Sequence, residues 1–141
     1  MKYKRIMGID YGDARVGIAV SDLLGITAQG IETIKNKNKN VLFSRLQELI
    51  SEYNPETIVI GMPKNMDGTI GFRGEKTMDF AEKLKKIYSG TIDFCDERLT
   101  TVCAINTLNL TNTRGEKRKN VIDTVSAALI LQTYMDKKKN E

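Results

Sequence analysis

Three acidic residues stand where they could act together. Asp10 and Glu97 each follow an apolar segment, and Asp123 lies near the start of an amphipathic one. The ends of parallel strands and the start of a covering helix converge at one edge of an α/β sheet, so these carboxylates are expected to meet. Clustered carboxylates raise their own pKa values or bind a divalent cation, and oxygen ligands favour Mg²⁺, with Mn²⁺ possible. Two such ions ~4 Å apart would stabilise an in-line phosphoryl displacement.

Each acid also has a simpler explanation. Asp10 could help to form a turn, and Glu97 could pair with its neighbour Arg98 at the surface. Asp123 follows Asn120 by three residues, so it could merely complement the positive end of a helix. Taken singly, the three residues therefore indicate little. Only their convergence favours a shared site.

The composition narrows the chemistry. The chain has 141 residues, 40% of them hydrophobic, and 22 Lys and Arg against 18 Asp and Glu, for a net charge of +4. This fits a single domain over residues 1–141 and is too short for a two-domain ATP clamp. There is no histidine, which excludes a Ser-His-Asp or Cys-His nucleophile system and a His-ligated zinc. Proton handling is left to carboxylates, Lys, Tyr or a metal-bound water.

The sequence also indicates where the protein works. It contains no run of about 18 apolar residues and no long apolar segment near the N-terminus, so we expect a cytoplasmic protein that does not bind membranes. Cys95 and Cys103 are its only cysteines. Two cysteines are too few for a disulfide framework.

The hydrophobic pattern predicts an α/β fold with the element order βββαβαβαα and helices on both faces of a five-stranded mixed sheet. The predicted strands are Arg5–Asp10, Arg15–Ser21, a segment within Thr27–Ile34, Thr57–Gly61 and Thr91–Cys95. The predicted helices are Leu42–Tyr53, Met78–Tyr88, Thr101–Leu110 and Asn120–Tyr134. The fourth strand should separate the first from the fifth, leaving ~10 Å that a Glu side chain and bound ions could bridge.

A polar segment, Thr111–Lys119, is predicted to be a mobile loop. It carries four cations just before Asp123 that could bind phosphates flanking the reacting one: Arg114, Lys117, Arg118 and Lys119. A solvated loop that happens to carry charge explains them equally well. The other lysine-rich segments, Lys35–Lys39 and Lys137–Lys139, are interpreted as solvated surface.

Four motifs follow one another along nearly the whole chain. They are GIDYG at 8–12 with RVGIAVS at 15–21, GMP at 61–63 with MDG at 66–68, DERLTT at 96–101, and Asp123 followed by AA at 127–128 and ILQ at 130–132. In this order they resemble the YqgF family of bacterial RNase H-like nucleases, also described as Holliday junction resolvases or pre-16S rRNA nucleases. The first motif alone would also suit the phosphate loop of an acetate kinase or an actin.

The resemblance implies an RNase H-like fold and a Mg²⁺-dependent endonuclease, with Asp10, Glu97 and Asp123 as the catalytic, metal-holding acids. It further implies processing of the 5′ end of pre-16S rRNA in ribosome biogenesis, with four-way DNA as an older alternative. After Cys103 the family often shows Ala-Glu-Arg-x-Leu, whereas this chain has AINTL at 104–108. A substrate contact assigned to those two missing charges does not carry over.

The sequence leaves three functions open. The first is cleavage of structured RNA, with pre-16S rRNA as the substrate, by a monomer or weak homodimer. The second is Holliday junction resolution, which needs a dimer that presents two sites to two strands. The third is a nucleic-acid-binding accessory protein that does not cut, and the acidic trio argues against it because clustered anions repel phosphate.

Overall fold

The computed structural model describes residues 4–100 and 116–139, and in the second range it describes side chains from Asp123 onward. The elements are β1 (Ile6–Tyr11), β2 (Arg15–Ser21), β3 (Ala28–Lys35), α1 (Lys39–Tyr53), β4 (Thr57–Met62), α2 (Phe72–Leu84), β5 (Thr91–Asp96) and α3 (Glu116–Lys139). A short 3₁₀ turn, Glu97–Leu99, follows β5. The predicted helix Thr101–Leu110 lies outside the described residues.

The strands form one mixed sheet in the order β3-β2-β1-β4-β5. The first three strands are an antiparallel meander, while β4 pairs parallel with both β1 and β5. Parallel neighbours need a crossover, and α1 provides it between β3 and β4. The predicted five-stranded mixed sheet is confirmed, with β4 between β1 and β5.

The start and end of α1 follow from two asparagines. The side chain of Asn38 accepts hydrogen bonds from the backbone N–H groups of Asn40 and Val41, which caps the first turn. Asn54 ends the helix in the left-handed conformation at φ 46°, and Pro55 follows it. Between them, one face of the helix is buried at the predicted spacing, at Leu42, Leu46 and Leu49.

The sheet is covered on both faces. On one face, Met7 and Ile9 of β1 pack with α1 and α2. On the other, Ala127, Ile130 and Leu131 of α3 pack against the sheet. Burying these apolar side chains on two faces is the main source of stability for such a layered fold.

Glycines let α3 lie very close to the sheet. A methyl group at Gly8 of β1 would come 2.8 Å from Leu131 Cβ, and one at Gly17 of β2 would overlap the backbone oxygen of Asp123. Gly17 pairs directly with Asp10 across the two strands. The absence of these side chains therefore brings Asp123 next to the strand that carries Asp10.

The bounds of all three described helices differ from the prediction, by three residues at the start of α1 and by more in α2 and α3. α2 begins at Phe72 and ends at Leu84, because its first turn packs through Gly74, which lies against the backbone oxygen of Pro63 and gives no apolar signal. α3 begins at Glu116 rather than Asn120. Residues 116–119 are therefore helical and not loop, since Glu, Lys and Arg favour helices as well as exposed loops.

No helix in the described ranges combines the length and apolar character needed to cross a membrane.

Candidate active site

Asp10 and Glu97 meet at the edge of the sheet where the parallel strands β1, β4 and β5 end. Asp10 lies near the end of β1 on the face that α3 covers, and Glu97 begins the turn after β5. Gly61 of β4 lies between them, and a methyl group there would come 2.8 Å from Glu97 Oε1. Because Gly61 has no side chain, Glu97 extends across β4 and hydrogen-bonds with Asp10.

The surroundings of Asp10 favour its protonated form at neutral pH. Burial, the negative charges of Glu97 and Asp123 and the hydrogen bond to Glu97 together raise the pKa of Asp10 to about 7. Glu97 is only 9% exposed. Burial also raises the pKa of Glu97, although the nearby charge of Arg73 and the Asp10 hydrogen bond oppose that shift.

Asp123 lies near enough for its charge to act on Asp10, and its carboxylate is paired with Arg15. Its Oδ2 accepts a hydrogen bond from Arg15 Nε at 2.6 Å, in a pair whose side chains are 16% and 23% exposed, respectively. Its charge still acts on Asp10. The structure therefore brings Asp10 and Glu97 into contact and places Asp123 beside them, neutralised by Arg15.

A divalent cation suits part of this donor set. Two adjacent carboxylates offer hard oxygen ligands, and a cation would relieve the repulsion between them. In the arrangement of side chains seen here, no three His, Cys, Asp or Glu residues of the described ranges are spaced to hold one ion. Asp123 would have to give up Arg15 to become a third ligand.

The simpler explanations for Glu97 and Asp123 do not hold. Arg98 pairs with Asp96, with Nη2 2.7 Å from Oδ2, so Glu97 is not its partner. Asp123 lies in the second turn of α3 and not in the first, because the helix begins at Glu116. Neither acid is therefore accounted for by a surface pair or a helix end.

Sequence reasoning missed the two arginines of this site. Arg73 lies in the first turn of α2, where its charge lowers the pKa of both Asp10 and Glu97. Arg15 stands in the RVGIAVS motif but was not linked to Asp123, which is 108 positions away. A correct start for α2 would have revealed Arg73, because it places that residue at the same sheet edge as the acids.

Three of the four predicted nucleic-acid-binding cations fall at the start of α3. Lys117, Arg118 and Lys119 belong to its first turns, one to two turns before Asp123. Arg114 lies outside the described residues. The structure thus places three of the four positions on the helix that carries Asp123.

Nearly the whole chain matches one known family. Residues 4–137 fit the model of the family described as RuvX, Holliday junction resolvase. The chain belongs to the RuvX family.

Two relatives carry the name "Putative pre-16S rRNA nuclease". The Thermoanaerobacter pseudethanolicus protein is 48% identical over 97% of this chain and 99% of its own length. The Ruminiclostridium cellulolyticum protein is 51% identical over 94% of each chain. The resemblance drawn from the four motifs is confirmed.

Solved structures agree with this RuvX family member in fold. RuvC of Thermus thermophilus, in complex with a Holliday junction substrate, has a TM-score of 0.61 at 11% identity and covers 96% of this chain and 97% of its own. The fowlpox virus Holliday junction resolvase has a TM-score of 0.51 at 16% identity, with 94% and 99% covered. The predicted RNase H-like fold is confirmed.

The raised pKa of Asp10 predicts a pH-dependent stability. A carboxyl group whose pKa is raised by folding stabilises the protein least at high pH, so the native state loses stability as pH rises from about 4 to about 7. Asp10→Asn removes the charge. In metal-free buffer its free energy of unfolding should exceed that of the parent by on the order of 2 kcal/mol at pH 8, and the gain should vanish near pH 4. Urea unfolding at several pH values measures this difference.

Asp96→Asn is the matched control. Its hydrogen bonds with Arg98 lower the pKa of Asp96, so the substitution should bring no gain at pH 8. Equal changes in the free energy of unfolding for the two substitutions would contradict the claim that burial and repulsion destabilise ionised Asp10.

Proposed function

We propose that this protein is a metal-dependent nuclease that hydrolyses phosphodiester bonds at the 5′ end of pre-16S rRNA, in the cytoplasm, during ribosome biogenesis. One observation carries the proposal: Asp10 and Glu97 hold two partly buried carboxyl groups together at the carboxyl end of parallel strands. The family and the names of its relatives support the reaction class and the substrate.

Asp10 and Glu97 would hold a divalent cation, Mg²⁺ or in its place Mn²⁺, and Asp123 would join them. When bound, the ion supplies an activated water and stabilises the charge that develops on the phosphate. The acid pair fits this role because it already gathers more negative charge than the site can keep ionised at neutral pH. The absence of histidine from the chain is no obstacle to such a reaction.

Two arginines serve the same reaction. Arg73 places positive charge near both carboxylates, so it is suited to bind a non-bridging oxygen of the scissile phosphate. Arg15 holds Asp123 in place through its Nε. An Arg15 released by Asp123 would become a second phosphate ligand.

Four-way DNA junctions are the second candidate substrate. The family description favours them, and they would require a dimer with two active sites. A binding protein that does not cut is disfavoured, because two buried acids at the centre of a phosphate-binding surface weaken both folding and binding.

Substitution of the acids tests the assignment directly. Asp10→Asn and Glu97→Gln should each lower the rate of cleavage by at least about 100-fold, because the metal loses a ligand. Asp10→Asn should bind nucleic acid at least as tightly as the parent, since a repulsive charge is gone. The assay compares a mimic of the pre-16S 5′ end with a four-way junction, in Mg²⁺, in Mn²⁺ and in EDTA.

Asp96→Asn provides the control for this assay, because Asp96 is next to Glu97 but bonds to Arg98. It should retain cleavage within a few-fold. Cleavage by Asp10→Asn at the parental rate would end the site assignment. Cleavage of the junction alone would replace the rRNA substrate by DNA.

The start of α3 gives a second prediction. The combined variant Arg114→Ala, Lys117→Ala and Lys119→Ala should bind nucleic acid more weakly and show a flatter salt dependence, by about 0.7 to 0.9 in log-log slope for each phosphate that is no longer neutralised. Alanine at the three lysines of the C-terminal tail, Lys137–Lys139, removes the same charge at the far end of α3 and is the control. An unchanged slope in the first variant would show that these cations are merely solvated.

A further inference from the structure

A cleft lies on the opposite face of the sheet from the acid pair. It encloses about 370 Å³ beside the end of β1, and Tyr11 and Phe80 are among its lining residues. Tyr11 follows Asp10 directly, and successive strand residues point to opposite faces, so Tyr11 faces α1 and α2. Three lysines from these two helices line the cleft: Lys39, Lys76 and Lys83.

Hydrogen bonds and ring stacking fix the side chains on the Tyr11 side of the cleft. Lys39 Nζ donates to the Tyr11 hydroxyl at 2.8 Å and to Asn36 Oδ1 at 2.7 Å. Asn36 Nδ2 in turn donates to the Gly12 carbonyl oxygen at 2.8 Å, and the Tyr11 ring stacks on Phe80 at 4.4 Å between centroids. Lys39 is exposed, as expected of the lysine-rich segment, yet its ammonium group is fixed beside the strand end.

The charge of the cleft is positive on balance. Lys76 pairs with Asp13 at 3.2 Å, and Asp79 is the second lining acid, so three lysines face two aspartates. Asp13 is 68% exposed, and such a pair is readily exchanged for another anion. Burial opposes ionisation of Tyr11, but its hydrogen bonds and the charges of Lys39 and Lys83 outweigh burial, so the pKa of Tyr11 lies below its usual value.

An exposed aromatic ring adjoins the lysines. The side chain of Phe72, at the start of α2, is 71% exposed, and Lys76 Nζ lies 4.5 Å from its ring centroid. Arg73, which acts on the acid pair, is the next residue. Proteins that bind single-stranded nucleic acids combine exposed aromatic rings with cations. The bases stack on the rings, and the phosphates bind the cations.

We propose that this lysine cleft binds a backbone phosphate of the nucleic-acid substrate, a few nucleotides from the bond that is cleaved at Asp10 and Glu97, with an adjacent base stacked on Phe72. The inference rests on the proposed function. The nucleic-acid strand would pass from the acid pair around the end of β1 to the cleft. This path is short, because Asp10 and Tyr11 are consecutive residues whose Cα atoms are ~3.8 Å apart. A nucleic acid fits better than a small anion because only a ligand with bases could also use the exposed ring of Phe72 beside Lys76.

A binding measurement without metal tests the cleft independently of cleavage. The variant Lys39→Gln, Lys76→Gln and Lys83→Gln should bind single-stranded RNA and DNA oligonucleotides about tenfold more weakly at 0.1 M salt, with a log-log salt slope reduced by about 0.7, as expected for the loss of one neutralised phosphate. Phe72→Ala should weaken binding about tenfold and leave the salt slope unchanged, because it removes stacking and no charge. Fluorescence anisotropy in EDTA measures both quantities.

The control variant removes three lysines away from the cleft: Lys4→Gln, Lys85→Gln and Lys86→Gln. It has the same net charge and should bind within about twofold of the parent. If the cleft variant melts more than about 5 °C below the parent, the single variant Lys83→Gln replaces it in the binding measurement. Its log-log salt slope should fall by about 0.7. Binding by the cleft variants that matches the control overturns the proposal. Weaker binding by the cleft variants in a protein that cleaves neither substrate would keep the cleft and reject the nuclease.

Discussion

Repulsion between two carboxyl groups governs the structure around the sheet edge. Asp10 and Glu97 are held in contact although both are shielded from water, and the pKa of Asp10, raised to about 7, favours a proton on this pair below neutral pH. A fold gains no stability from such a pair at higher pH. The acid pair would be stable at higher pH if a cation took the place of the proton. This is the physical basis for proposing a metal-dependent nuclease.

The rest of the fold accommodates that contact through missing side chains. Gly61 lets Glu97 cross β4, and Gly17 lets α3 bring Asp123 against β2. Arg15 pairs with Asp123, so that its negative charge is compensated beside the pair. Arg73 supplies further positive charge from the start of α2. The arrangement is thus a balanced set of charges in which each acid has a partner.

The fold and the meeting of Asp10 with Glu97 could be predicted because their signals are local. Apolar strands ending in Asp10 and just before Glu97 are visible in the sequence, and the order of strands follows from the crossover rules. The start of α3 could not be predicted because Glu116 and the lysines after it suit a helix and a solvated loop equally. The link between Arg15 and Asp123 depends on how closely α3 packs. That distance is set by Gly8 and Gly17, and no periodic pattern reports it.

Proton release on metal binding is the most direct test of the central claim. Calorimetric titration with Mn²⁺ in buffers of different ionisation heat counts the protons displaced for each ion bound. The acid pair predicts about one proton per ion at pH 6 and nearly none at pH 8.5, and far weaker binding by Asp10→Asn. Binding at pH 6 that releases no proton and is equally tight in Asp10→Asn would show that the ion goes elsewhere.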